Sequence, residues 1–187
     1  MMRNILIILI FAGLLQGCFP VVAAGAGAGA LMVQDRRTSG AYMEDEAIEV
    51  KAFDRIGKQF KNTVHVNVTS YNRNMLISGE VPDENTKAQV ERIVANILNV
   101  RTIYNELAIA GLSSLTSRSN DTLITSNVKL RFVNDKRFSA SSVKVVTEYG
   151  TVYLLGIVNN TEANAAAEVA SGSKGVSRVV KLFEYVN

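Results

Sequence analysis

One stretch of the chain occurs twice. Met75-Leu-Ile-Ser-Gly79-Glu-Val81-Pro-Asp83 aligns with Val152-Tyr-Leu-Leu-Gly156-Ile-Val158-Asn-Asn160, an offset of 156 − 79 = 77 residues. The same offset pairs Val66 with Val143, Val68 with Val145 and Ala88 with Ala165. One residue is then lost from the second copy, after which Val100 meets Val176 and Ile103 meets Val179. A fixed-period repeat marks a duplicated supersecondary unit. Each copy holds about 65 residues, near the lower size limit for a core that folds without a metal or a disulfide. Cys18 is the only cysteine, so no intrachain disulfide can form and no thiolate cluster can hold zinc.

Both copies give the same element order. In the first, Asp45 opens a helical pattern in which Ile48, Ala52, Ile56 and Phe60 recur every fourth residue, placing them on one side of a helix. Val64, Val66 and Val68 alternate as in a half-buried strand, Asn72-Arg73-Asn74 is turn chemistry, and Met75–Val81 is a second strand. Pro82-Asp83 ends that strand and caps a helix from Glu84 to Ile97, and Arg101–Ile109 is the last strand. In the second copy Asp121 is expected to cap a helix through Val133. Strands follow at 143–148 and 152–158, then a small-residue helix from Thr161 to about Ser171 and a strand at 177–186. The fold class is therefore α+β, each copy α-β-β-α-β with a small mixed sheet covered by two helices on one face.

The first residues read as an address. Arg3, the apolar run Ile5–Leu15 and Leu15-Gln16-Gly17-Cys18 have the three parts of a secretory signal ending in a lipobox. Residues 1–17 would be the signal peptide and Cys18 the site of lipid attachment, including palmitate or another acyl chain on its freed amine. Gln16 replaces the small residue usual there. An uncleaved membrane span is the competing reading, because Phe19–Val33 is also apolar, but Pro20 and the Gly-Ala alternation at 23–30 disfavour a spanning helix. Phe19, where inner-membrane lipoproteins tend to carry Asp, points to the outer membrane. Residues 18–43 then form a lipidated tether, with Arg36 and Arg37 in a solvated turn, and 111–120 a Ser/Thr-rich linker.

Twenty Lys and Arg against seventeen Asp and Glu give a net charge of +3, far short of a dedicated nucleic-acid binder. No catalytic constellation emerges. His65, the only histidine, alternates with Val64 and Val66 and is expected on the solvated face. Asp45-Glu46 and Asp83-Glu84 read as helix caps, and Gly79 and Gly156 as points of close backbone approach. The expectation is no enzyme, metal or cofactor. One surface stands out. On the helix after Asp121, Ile124, Val128 and Phe132 face inwards, while Leu123, Leu130 and Val133 fall on other sides with Lys129, Arg131, Lys136 and Arg137 close in sequence. An apolar edge rimmed by positive charge suits anionic phospholipid.

The element order, with a glycine in the middle strand (Ile77-Ser78-Gly79-Glu80-Val81 and Leu154-Leu155-Gly156-Ile157-Val158) and a valine before the last strand, resembles the BON-domain family. The copies would occupy 44–110 and 121–187. With the lipobox and Asp35-Arg36-Arg37-Thr38-Ser39-Gly40, the whole is similar to dual BON-domain lipoproteins of the outer membrane. That resemblance implies a periplasm-facing, non-catalytic lipoprotein that binds anionic phospholipid through its second domain and supports envelope integrity. It also implies association with cell-division sites and with the machinery assembling outer-membrane proteins. A protein-interaction scaffold with no direct lipid recognition is the alternative. Oligomeric state, protein partner and headgroup preference are open at this stage.

Overall fold

The computed structural model describes residues 35–186. The signal-like run, Cys18 and the Gly-Ala stretch lie outside the described residues. The first repeat consists of α1 (Ser39–Phe60), β1 (His65–Tyr71), β2 (Asn74–Val81), α2 (Glu84–Ala95), β3 (Thr102–Asn105) and β4 (Ala108–Ile109). The second consists of α3 (Leu115–Asn134), a 3-10 turn at Ala140–Ser142, β5 (Val143–Glu148), β6 (Thr151–Val158), α4 (Asn160–Ser171) and β7 (Arg178–Tyr185). In each sheet an antiparallel hairpin is joined on its other side by a parallel strand: β3 and β4 beside β2, and β7 beside β6. Ile48, Ala52 and Ile56 of α1 meet Val90 and Val94 of α2 over Met75, Ile77 and Val81. Ile124, Val128 and Phe132 of α3 meet Ala166 and Val169 of α4 over Val152, Leu154 and Val158. The fold is thus the expected α+β duplication, with two helices on one face of each small mixed sheet.

Both first helices start earlier than their sequence pattern suggested. Thr38 caps α1, its hydroxyl accepting from the Ala41 amide at 3.1 Å, and Ser114 caps α3 in the same way through Ser117. Part of the expected tether and of the expected linker is therefore helix. Asp45 and Asp121 are not caps but buried residues well inside these helices. Each accepts the two amides of a hairpin turn: Asn72 and Arg73 at 2.8 and 2.7 Å for Asp45, Tyr149 and Gly150 at 3.0 and 2.9 Å for Asp121. All four turn residues have positive φ, the conformation of a tight two-residue hairpin. A carboxylate from the helix thus lashes it to the turn of its own sheet. Asp83 does cap α2, through the Thr86 amide at 2.7 Å, and Asn159 with Glu162 forms a capping box on α4.

Gly79 and Gly156 mark close backbone approach, as expected. A Cβ on Gly79 would lie 2.0 Å from the His65 carbonyl oxygen, and one on Gly156 2.4 Å from that of Ser142. Each middle strand thus presses on the first residue of its hairpin, or on the one just before it.

The two sheets pack against each other through the faces that carry no helices. Tyr71, Leu76, Tyr153, Leu155, Ile157 and Leu182 form this shared core, flanked by Tyr104, Val146 and Val180. The order of layers is helices, sheet, sheet, helices. Arg37 sits at one side of the seam, not in a solvated turn. Its side chain is 8% exposed, with the guanidinium bonded to Asp35 and Asp45 and stacked 4.1 Å from the Tyr71 ring centroid. Burial opposes ionisation of Asp35, yet the Arg37 hydrogen bonds and charge hold its carboxyl below the usual range. Arg36 reaches the other repeat, bonding Glu162 at 2.7 Å and the Ile157 carbonyl at 3.0 Å.

His65 also faces the seam and not solvent. Its Nε2 lies 3.5 Å from Glu148 Oε1, and the Asn67 amide donates to Glu148 Oε2 at 2.8 Å. Glu80 is fully buried nearby and accepts from the amide and hydroxyl of Ser113 through one oxygen. Burial raises the Glu148 pKa, opposed by the Asn67 hydrogen bond and by His65, and assisted by the charges of Glu80 and Asp121.

Two outcomes are expected. Asp45→Ala removes one of the two carboxylates that Arg37 holds and leaves three other donors, the Ser70 hydroxyl and the Asn72 and Arg73 amides, without their acceptor, and costs about 2–4 kcal/mol. Asp121→Ala strands only two turn amides and costs about 1–3 kcal/mol, and urea titration measures both. A carboxyl with a raised folded pKa contributes stability that is complete below its unfolded pKa and lost as pH rises through the folded one. Glu148→Gln avoids that loss, so its thermal midpoint exceeds the parent's at about pH 8 and converges with it at about pH 4.

Candidate functional site

Helix α3 directs Asp121, Ile124, Val128 and Phe132 inwards, and the opposite side is left to solvent. Leu123, Leu130 and Val133 are 63%, 64% and 72% exposed. Leu115, which the sequence had placed in the linker, extends the same line and is also exposed. It stands 133 − 115 = 18 residues before Val133, five full turns, so the two share one azimuth along about 27 Å of helix. The signal for it was Ser114, a hydroxyl residue just before an apolar one, which is cap chemistry.

Charge on α3 is one-sided. Its sole carboxylate, Asp121, is buried against the turn amides, while Arg118, Lys129 and Arg131 are all basic. The structure separates the sequence-predicted basic residues by how free they are. Lys129 is exposed and in no ion pair among the described residues, whereas Arg131 donates to the Ser173 hydroxyl at 3.1 Å across the Gly172 backbone. Arg137 is spent: it holds Asp135 at 2.8 Å and Glu168 at 2.9 Å. Those bonds raise the Arg137 pKa and lower that of Asp135. Lys136 is exposed beside it.

The equivalent helix α1 carries a different surface. Glu44, Glu46 and Asp54 alternate there with Lys51, Arg55 and Lys58, so no side of it is uniformly basic. The duplication therefore yields two helices in the same structural position, both exposing large apolar side chains, one among charges of both signs and one bordered by cations alone.

Between α3 and the polar side of the seam lies a cleft of about 470 Å³, lined by His65, Arg118, Thr122, Ser126, Lys129 and Glu148 among others. Its hydroxyls are occupied. Thr122 and Ser126 donate to the carbonyls of Arg118 and Thr122, and Thr125 to the Thr147 hydroxyl. His65 is engaged by Asn67 and Glu148, so no hydroxyl is activated by it. Among the described residues no group of three or more His, Cys, Asp or Glu could hold a metal ion, and no helix is long and apolar enough to cross a membrane.

Comparison with known proteins places this geometry. The BON domain model matches residues 44–111 and 120–187. The chain is 37% identical over 175 residues to "Outer membrane lipoprotein DolP" of Haemophilus influenzae, covering 92% of this chain and 91% of that one. It is 32% identical to the "21 kDa hemolysin" of Actinobacillus pleuropneumoniae, over 81% of this chain and 79% of that one. Among solved structures, CdsD, a structural protein of the type III secretion system of Chlamydia trachomatis, aligns with 73% of this chain and 91% of that one. The TM-score is 0.31 and the identity 12%, a likeness too slight to carry weight.

Proposed function

The chain belongs to the BON-domain family, two copies in tandem, and from that premise we propose an outer-membrane lipoprotein whose second BON domain lays helix α3 on anionic phospholipid. The relative named an outer-membrane lipoprotein, similar over nearly the whole chain, supports the location, as does the lipobox at Cys18. The observation that carries the lipid contact is α3 itself: Leu115, Leu123, Leu130 and Val133 face outwards on a helix with no exposed carboxylate. A helix of that kind lies in the interface with its apolar side among the acyl chains and its cations at the headgroups. Lys129 on one flank and Arg131 on the other supply the cations, each worth about 1 kcal/mol near an anionic surface. There is no Trp, so the domain alone grips weakly and acylation of Cys18 supplies most of the hold. In this reading the protein faces the periplasm, performs no catalysis, and supports envelope integrity by keeping a lipid-responsive module at the membrane. Docking on the outer-membrane protein assembly machinery, and recruitment to division sites, would use surfaces other than α3.

Co-sedimentation of residues 34–187, the compact unit, with phosphatidylglycerol and with phosphatidylcholine vesicles tests the contact. A shorter piece lacking Arg37 is unsuitable, because that side chain is part of the seam. The parent should bind only the anionic vesicles, and less as salt rises. Leu123→Glu with Leu130→Glu should cost at least tenfold in affinity, Lys129→Glu several-fold, and Arg137→Gln almost nothing because its charge is already paired. Undiminished binding by the Leu123→Glu, Leu130→Glu variant would remove α3 from the reading.

A further inference from the structure

Strand β1 is the outer strand of its sheet. The hairpin fixes which of its main-chain groups face away from β2. Tyr71 pairs with Asn74 across a two-residue turn, so His65, Asn67, Thr69 and Tyr71 bond to β2, while Val66, Val68 and Ser70 turn their N–H and C=O outwards. Ser70 agrees with this parity and is already used: its N–H donates to Glu49 at 2.7 Å and its carbonyl accepts from Lys144 at 3.4 Å. Val66 and Val68 have no such partners among the described residues. Their outward groups open onto a groove of about 590 Å³ between β1 and α1, walled by Val50, Phe53 and Gly57. Val50 and Phe53 are 67% and 72% exposed, large apolar side chains that the core does not use.

The duplication supplies a comparison. The buried aspartates lie 121 − 45 = 76 residues apart, and the same offset puts Ser126 and Lys129 of α3 where α1 has Val50 and Phe53. One scaffold position is therefore polar in the second repeat and apolar in the first.

We propose that the β1 groove binds an extended, uncharged segment of a partner polypeptide as an added strand, with its inward side chains on Val50 and Phe53. The main-chain groups of Val66 and Val68 define the ligand class, since only another extended backbone offers alternating donors and acceptors at their spacing. Two free edge residues correspond to a segment of about five residues, roughly 17 Å long. Charge defines the side chains. The carboxylates in the groove, Glu49 and Asp54, are neutralised by Lys144 and Lys58, so nothing there attracts a charged ligand. An acyl chain would fill the space and leave four main-chain groups unpaired. A second copy of this chain would have to bury upwards of about 1,200 Å² to form a stable dimer, and two edge residues beside a mixed-charge helix fall far short. The inference concerns the first repeat alone and does not depend on what α3 touches.

The experiment uses the full chain in zwitterionic phosphatidylcholine nanodiscs and a fluorescein-labelled, terminally blocked peptide, Gln-Thr-Val-Thr-Val-Thr-Gln. Saturable binding by anisotropy is expected, with amide exchange slowed at Val66 and Val68 and unchanged along β5. Val68→Pro deletes an outward N–H without touching the β2 ladder, and Phe53→Asp alters only an exposed wall; each should weaken binding at least tenfold. The proposal is overturned by absence of saturable binding, by parent-like binding in both variants, or by protection on β5. Concentration-dependent protection of Val66 and Val68 without peptide would also overturn it, in favour of pairing between copies.

Discussion

Each middle strand, β2 and β6, is buried on both faces, and the rest of the structure follows from that. A repeat of this size has one sheet, and helices can cover only one side of it. Left alone, Leu76 in the first copy and Tyr153, Leu155 and Leu182 in the second would lie against water. At about 25 cal/mol per Å² of apolar surface, four or five such side chains are worth several kcal/mol, comparable to the net stability of a small domain. Stacking sheet on sheet removes the exposure from both copies at once, with no intrachain disulfide. The seam is apolar in its middle and polar at its margins, with Arg37, Asp35 and Lys144 among one set of groups and His65, Asn67, Glu80 and Glu148 among another.

With the inner faces committed to one another, the outer helices are the surfaces left to diversify. The two copies carry the same residues where backbone meets backbone or helix meets turn: Asp45 and Asp121 at the turns, Gly79 and Gly156 against a carbonyl, and the half-buried Val100 and Val176 before the last strand. Their exposed positions have gone separate ways. Helix α1 carries mixed charge and an apolar groove beside a free strand edge, whereas α3 has no exposed carboxylate and a line of exposed leucines ending at Val133. Selection on stability cannot distinguish these exposed sets, because neither contributes to a core. They are where the two halves can acquire different ligands.

Much of this was legible in the residues. The offset of 77, the fourfold spacing of Ile48, Ala52 and Ile56, and the alternation of Val64, Val66 and Val68 fixed the elements and their order. The exposed residues of α3 were found by subtraction, since Leu123, Leu130 and Val133 do not lie on the side that Ile124, Val128 and Phe132 bury. What periodicity could not reveal was the sheet-on-sheet seam. A clue was present in β6, where Val152-Tyr-Leu-Leu-Gly-Ile-Val does not alternate, as a strand buried on both sides need not. Asp45, Asp121 and Arg37 were misread for a related reason: short acidic residues near a helical pattern look like caps, and paired arginines look solvated. The turn amides that Asp45 and Asp121 hold lie 27 to 29 residues further along the chain, and the Tyr71 ring on which Arg37 stacks lies 71 − 37 = 34 residues away.

Arg36 and Arg37 are neighbours in sequence, yet one is anchored to Glu162 and the Ile157 carbonyl in the second repeat and the other to Asp35, Asp45 and Tyr71 in the first. A pull on the backbone ahead of Arg36 would consequently be passed to the second repeat first and to the first repeat next. It meets two charge-assisted clasps one after the other before it can peel Ser39 and Ala41 from the start of α1. Were the chain to enter the fold at α1 without them, the same load would fall on the Thr38 cap and unzip one helix turn by turn.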